Sequence, residues 1–120
     1  MASELRVNTL KDAAGANSVA MEYVAGGSSK AWVDGNNAAG LDNSHNISSG
    51  TDNGTGDYEY AFTAAMDSAN YGIAGAVYSG SDRGFSYTGV SSANFDVRVW
   101  NSGGTANDAA QTSIIMGDLA

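Results

Sequence analysis

Apolar and polar residues alternate along much of this chain, and the alternation constrains its fold more strongly than any other feature. In residues 57–62 and 95–100, every second residue is aromatic or valine. A period of two places neighbouring side chains on opposite faces of a strand, so both segments predict strands with one buried face. Residues 71–78 predict a third strand, whose second face consists mainly of small residues. The weaker strand candidates are residues 5–10, 19–24, 30–34, 45–49, 85–90 and 112–118.

Turn-forming residues separate these candidate strands. Residues 34–37, 52–57 and 79–82 are built from Gly, Asn, Asp, Ser and Thr, and Asn-Gly and Asp-Gly supply the positive φ values of tight turns. Eight or nine short strands joined in this way predict an all-β fold, an antiparallel β-sandwich or jelly-roll-like single domain, which we place at residues 30–120. Residues 62–69 are the one helix-tolerant stretch, and they are too few for a stable isolated helix.

Large aliphatic side chains are scarce in this chain. Leu, Ile, Val and Phe together account for 19 of the 120 residues, and the formal net charge is −8. Such a composition tends toward disorder unless the core gains apolar cover from elsewhere, and small domains often gain it by oligomerising. Residues 1–29 hold two weak strand candidates and end in Gly-Gly-Ser-Ser, so we expect them to form an N-terminal arm that packs on a neighbour.

Charge and composition exclude several classes of partner. The chain has 13 acidic and 5 basic side chains, and it lacks the clustered Lys and Arg that bind a phosphate backbone, so we expect no nucleic-acid partner. No apolar run approaches the roughly 20 residues that span a bilayer, and we expect no membrane insertion. The first residues have no apolar core that could serve as a secretion signal. Without cysteine, disulfides and thiol chemistry are excluded.

Catalytic chemistry has little support in the sequence. His45 is the only histidine, and its potential partners Asp42 and Ser44 are its near neighbours on an apparent turn, whereas a nucleophile and its base usually come from distant segments. Residues 52–57 contain the ingredients of a calcium loop but not its regular ligand spacing, which favours a Gly-rich turn. We therefore predict no catalytic residues, no metal and no cofactor. A carbohydrate-processing enzyme built on paired carboxylates stays as an alternative from another class.

Three aromatic residues are candidates for an oligomer interface or a ligand contact. They are Trp32, Tyr87 and Trp100, each placed where its side chain could emerge from a sheet or loop. An exposed aromatic ring beside Asn and Asp is a common way to hold sugars. The alternative is that these rings supply the core volume that Leu and Ile do not. Trp100 lies opposite the apolar face of its strand, which favours contact with another subunit.

The chain also resembles the tail fibre proteins of cyanophages and other marine bacteriophages. Residues 3–15, Ser-Glu-Leu-Arg-Val-Asn-Thr-Leu-Lys-Asp-Ala-Ala-Gly, look like the N-terminal segment of those proteins. Residues 27–33, Gly-Ser-Ser-Lys-Ala-Trp-Val, resemble a second sequence motif of the same phage proteins. Residues 46–58, which contain Asn-Ile-Ser-Ser and Thr-Asp-Asn-Gly-Thr-Gly-Asp-Tyr, are similar to the family's central motif.

The resemblance implies a small all-β structural protein of the virion, made in the host cytoplasm and assembled as a homotrimer. The first function that the resemblance implies is that of a tail-fibre or adhesin-like module. Such a module binds other phage proteins of the tail or capsid, and its distal loops bind host-surface polysaccharide. The anchor candidates in the N-terminal arm are Leu5, Arg6, Val7 and Leu10. The alternative is a capsid decoration, or cement, protein that stabilises the phage head. The family carries no agreed catalytic residues, so none are transferred.

Overall fold

The computed structural model describes residues 3–78 and 82–120. The predicted turn at Ser79, Gly80 and Ser81 lies outside these residues, as do Met1 and Ala2 of the predicted arm. Within the described residues the chain forms ten strands and one short helix, which confirms the all-β prediction. The elements are β1 (Thr9–Lys11), β2 (Ser18–Ala20), α1 (Met21–Gly27), β3 (Ser29–Gly35), β4 (Leu41–His45), β5 (Ile47–Gly54), β6 (Asp57–Phe62), β7 (Gly72–Val77), β8 (Arg83–Thr88), β9 (Asn94–Asn101) and β10 (Gln111–Met116).

Eight of these strands form two four-stranded antiparallel sheets. The first sheet has the order β4-β3-β10-β7, and the second has the order β5-β6-β9-β8. The strands β1 and β2 form a separate two-stranded hairpin. The two large sheets enclose one core, and this arrangement is the single β-sandwich that the strand and turn spacing predicted.

Aromatic rings from the second sheet fill the core. The two segments with the clearest alternation became β6 and β9, and they bury Tyr58, Tyr60, Phe62, Phe95, Val97 and Val99. The ring centroid of Phe95 lies 5.7 Å from that of Tyr60 and 5.6 Å from that of Phe62. The first sheet faces them with smaller side chains, among them Ala31 and Ser113. Large rings packed against small residues provide the core volume that the scarce aliphatic residues cannot.

The chain passes from one sheet to the other at Asn46. Residues 45–49 were predicted as one strand, but the structure divides them, since β4 ends at His45 in the first sheet and β5 begins at Ile47 in the second. Asn46 has a φ of 56°, a left-handed conformation that Asn tolerates better than most residues. Its Nδ2 donates to the carbonyl oxygens of Lys30 at 3.1 Å and Ala64 at 3.0 Å. These bonds fix the crossing point.

Two of the weaker strand predictions were wrong in part. Residues 19–24 were predicted as a strand, yet the strand ends at Ala20 and α1 follows, with no buried residue that would favour an extended chain. Residues 5–10 were predicted as a strand, yet only Thr9 and Leu10 of this range belong to β1. Residues 62–69, which were considered too few for a stable helix, form none; Met66 is buried there and its N–H bonds to the carbonyl of Ser92. No helix among the described residues is long and apolar enough to cross a membrane.

Candidate functional site

The N-terminal segment, defined here as residues 3–29, contains no buried residue. It carries β1, β2 and α1, and it exposes a group of large apolar side chains. They are Leu5, Val7, Leu10, Val19 and Tyr23. Leu5 is 82% exposed and Tyr23 is 70% exposed. A contiguous segment that leaves its large apolar residues in solvent is typical of a surface that another molecule covers.

The four predicted anchor residues occupy two different positions in this segment. Leu5, Arg6 and Val7 precede β1 and belong to no helix or strand, whereas Leu10 lies on β1 opposite Val19 of β2. The Arg6 side chain pairs with Glu4, with an Nε–Oε1 distance of 2.8 Å and both side chains exposed. A pair so exposed contributes little to stability, so it leaves Arg6 available to a partner.

Asp12 closes the hairpin between β1 and β2. Its carboxylate accepts hydrogen bonds from Asn17 Nδ2 at 2.6 Å and from the N–H of Ala16 at 3.0 Å. The bond from Asn17, followed by those from the backbone, lowers the pKa of Asp12. The hairpin therefore has a hydrogen-bonded turn although it has no core of its own.

A second candidate surface lies on the outer side of the first sheet, and we call it the Trp32 face. Its central row consists of His45, Trp32, Ile114 and Ala74, which are cross-strand neighbours on β4, β3, β10 and β7. Ile114 is 49% exposed, and the indole of Trp32 is half-buried. Trp32 and Ile114 line a shallow depression of about 350 Å³. Trp32, Ile114 and Ala74 of this row form an apolar strip, and His45 ends the row on the edge strand β4.

Acidic side chains flank the Trp32 face. Asp34 follows Trp32 on the same side of β3, and its Oδ1 atom is buried without a hydrogen-bond partner among the described residues. Partial desolvation of this largely exposed ring, and then the negative charges of Asp34 and Asp42, raise the pKa of the Tyr78 phenol. Asn43 pairs with Asp34 in the sheet register. An indole beside carboxylate and amide groups is chemically suited to a sugar ring, which stacks its apolar side and hydrogen-bonds through its hydroxyls.

The structure does not bring the three predicted aromatic residues together. Trp100 lies on the outer side of the second sheet, where its indole covers Gly84 of β8. Trp32 is therefore on the opposite outer surface of the sandwich. Tyr87 lies on the edge strand β8, 43% exposed, with its ring 6.1 Å from that of Phe85. The three residues belong to three separate surfaces.

The outer side of the second sheet is acidic. Asp57 pairs with Arg98 at 3.0 Å, and Glu59 and Asp96 lie beside them in the register of β6 and β9. Burial, followed by the charges of Glu59 and Asp57, raises the pKa of Asp96. No group of three or more His, Cys, Asp or Glu side chains within residues 3–78 and 82–120 is arranged to hold a metal ion.

Two backbone N–H groups of the turn between β5 and β6 are bonded to carboxylates, one within the turn and one from a distant segment. The N–H of Gly54 donates to Asp52 Oδ1 at 2.9 Å, and the N–H of Gly56 donates to Asp108 Oδ1 at 2.7 Å. The Gly-rich turn that the sequence favoured is present at Thr55 and Gly56.

The weak catalytic candidates lie together on one edge strand. Asp42, Ser44 and His45 are all on β4, and no hydrogen bond joins their side chains in the described part of the chain. Alternation along β4 places Ser44 on the opposite side of the sheet from His45. This arrangement does not form a nucleophile paired with a base.

Sequence reasoning missed Ile114, Ala74 and Tyr78. Ile114 and Ile115 are adjacent in the sequence, so a strand must turn one of them outward, and this signal could have identified an exposed apolar side chain. No local signal could have shown that Ile114 neighbours Trp32, since strand order determines that relation.

Comparisons with known proteins provide no relative from which a function could be inferred, so a functional proposal must rest on the surfaces described above. No family model matches this chain, and no curated protein or solved structure matches it either.

Proposed function

We propose that this chain is a structural protein of a bacteriophage virion, a tail-fibre or adhesin-like module that works as a homotrimer and contacts the host surface. The observation that carries the proposal is the N-terminal segment, residues 3–29, which buries none of its residues and exposes five large apolar side chains. The resemblance of residues 3–15 and 46–58 to phage tail fibre proteins supplies the biological setting.

The N-terminal segment attaches the protein to its neighbours in the virion. Leu5, Val7 and Leu10 supply apolar contact area, and Arg6 supplies a cation close to them. At about 25 cal/mol per Å², covering such side chains contributes useful binding free energy. The sandwich needs none of these residues for its own core, so attachment does not compete with folding.

The Trp32 face supports the second half of the proposal. Its apolar row is suited to contact between identical copies, which would cover Trp32 and Ile114 from solvent. The adjoining Asp34 and Asn43 are suited to hydroxyl groups of a polysaccharide. Contact between copies and contact with a glycan both involve the Trp32 face. In an oligomer that covers Trp32 and Ile114, only the polar margin at Asp34 and Asn43 would stay free for a host glycan.

A capsid decoration protein is the second candidate function. The shape favours it, because the chain extends over 53 Å in one direction and only 31 Å and 25 Å in the others. A segment that reaches beyond a compact sandwich could lie across neighbouring capsid subunits and hold them together. Such a role would need the same exposed residues, Leu5, Val7 and Leu10.

Counting this chain in purified virions tests the proposal and separates its two forms. Quantitative mass spectrometry is expected to find the chain in the particle. A low copy number, with antibody labelling at the tail, supports the fibre, whereas a number close to that of the capsid subunits supports decoration. Absence from purified particles contradicts both.

A matched pair of variants tests the role of the N-terminal segment. Deleting residues 3–12 should abolish incorporation into particles and leave the sandwich folded. The control is Thr51→Ala, an exposed position on β5 outside this segment, and this variant should still be incorporated. Loss of folded protein in the deletion would show that the segment serves the fold rather than attachment.

A further inference from the structure

The two sheets have four edge strands, and one of them is unlike the others. The strands β4, β5 and β8 carry Asp42, Asp52 and Arg83, respectively, whereas β7 carries no charged residue. Its sequence is Gly-Ile-Ala-Gly-Ala-Val, without proline. Natural edge strands are usually protected by charges, prolines or bulges, because an unprotected edge pairs with other chains.

The free side of β7 has no partner among the described residues. The strand pairs with β10 over its whole length, from Gly72 to Val77, and the register shows no bulge. No backbone hydrogen bond joins these six residues to any other described segment. Two of its own residues, Ala74 and Ala76, are exposed. The edge is therefore regular, uncharged and lined by small side chains, and among the described residues no strand occupies it.

Residues 3–7 have the complementary properties. They belong to no helix or strand and form no backbone hydrogen bond in the described part of the chain. Their sequence, Ser-Glu-Leu-Arg-Val, alternates as a strand with one apolar face does. The Glu4–Arg6 ion pair neutralises the charges on one side, and Leu5 and Val7 form the other.

We infer that residues 3–7 of one copy add as a strand to the edge of β7 in a neighbouring copy. This inference rests on the proposed function and names the partner of the N-terminal segment, which is a second copy of this chain. Backbone hydrogen bonds along β7 supply affinity, as in other cases of strand addition. Leu5 and Val7 then lie on the side of Ile73 and Val77, where they extend the apolar core.

Charge and size favour this occupant and this edge. The segment's charges cancel within the Glu4–Arg6 pair, which suits an uncharged strand better than the acidic edges at Asp42 and Asp52. Residues 3–7 match the six residues of β7 closely in number, so one added strand can pair along most of this edge. The contact joins two different surfaces, so it is head-to-tail, and such contacts close into rings with threefold symmetry among the options.

Disulfide trapping tests the inference directly, because the chain has no cysteine of its own. Copies carrying Arg6→Cys are mixed with copies carrying Ala74→Cys or Ala76→Cys and oxidised mildly. Cross-strand neighbours on one side of a sheet lie within disulfide reach, so a covalent dimer is expected. The control replaces the second variant with Thr51→Cys, an exposed position on the edge strand β5. Trapping no greater than in this control overturns the inference.

A second experiment uses a variant that disrupts the added strand and leaves the residues of the sandwich unchanged. Leu5→Asp with Val7→Asp should shift the protein toward monomer in light scattering by at least tenfold in dissociation constant and leave the folded signal unchanged. An unchanged oligomer overturns the inference. Oligomers and virion incorporation without trapping would refute the strand addition alone, whereas trapping in a protein absent from virions would refute the proposed function alone.

Discussion

The side-chain amide of Gln111 donates a hydrogen bond to the hydroxyl of Tyr60, and this bond joins the two sheets through the middle of the core. Both residues are completely buried. Ser113 Oγ donates in turn to Gln111 Oε1 at 3.2 Å. Burial raises the pKa of Tyr60 far above its usual value, so the hydroxyl stays protonated. The core therefore contains a polar network whose members depend on one another.

Removing both members of this hydrogen bond should cost less than the sum of the two single removals. We expect Tyr60→Phe to lower the free energy of unfolding by about 1–3 kcal/mol, because the Gln111 amide loses its partner inside the core. Tyr60→Phe combined with Gln111→Leu should cost less than the sum of the two single changes. Urea denaturation of the four proteins measures this coupling, and strict additivity would show that the bond has no special role.

Gly35 should tolerate no side chain, because it lies directly against this pair. A Cβ atom there would overlap the Tyr60 hydroxyl oxygen and Gln111 Nε2, since both lie closer than van der Waals contact allows. We expect Gly35→Ala to lower the free energy of unfolding by about 1–3 kcal/mol through overpacking. The control is Gly26→Ala, where a Cβ would meet no atom within 4 Å. Thermal unfolding compares the two, and equal midpoints would contradict the prediction.

Asn46 should be needed both for its φ value and for its side chain. Asn46→Ala loses the hydrogen bonds to Lys30 and Ala64 and also strains a left-handed residue. We expect a loss of about 2 kcal/mol or more in unfolding free energy. Asn46→Gly relieves only the strain, so it should fall between Ala and the native residue. An Asn46→Gly protein as unstable as the alanine variant would mean that the conformation contributes nothing.

Stability should decline at alkaline pH because of buried tyrosines. Burial raises the pKa of Tyr58 and of Tyr71 to about 12, while a tyrosine in the unfolded chain ionises near pH 10. The folded protein therefore holds these protons more tightly than the unfolded chain does. Stability is complete below pH about 10 and is lost progressively as the pH rises toward about 12. Unfolding free energies across this range should fall less steeply in Tyr58→Phe, and a flat native profile would refute the prediction.

Association should depend on the Trp32 face. We expect light scattering to give the mass of a trimer and dilution to lower the unfolding temperature. Ile114→Asp introduces a charge into the apolar row and should weaken association at least tenfold without unfolding the sandwich. The control, Thr51→Asp, adds the same charge to an exposed strand position on the second sheet. Equal effects of both variants would show that charge alone is responsible.

The N-terminal half of the candidate site was partly visible in the sequence. Two weak strand candidates and a Gly-Gly-Ser-Ser ending marked residues 1–29 as separate, and the structure leaves residues 3–29 without a buried side chain. The helix α1 was not predicted, because the short apolar run at Val19–Val24 fits either period. The crossing at Asn46 was not predicted either, since it depends on bonds to Lys30 and Ala64, which are distant in sequence.

The sequence by itself determined the strands that carry the core, because alternation in residues 57–62 and 95–100 records which side chains are removed from water. It also determined the Gly-rich turn before β6, since glycine and Asn-Gly favour such turns locally. Only the tertiary structure decided which strands are neighbours and which edge stays open. Those features arise from hydrogen bonds and packing between segments that are distant in the sequence; β10, for example, lies between β3 and β7. A local sequence pattern cannot predict such pairings.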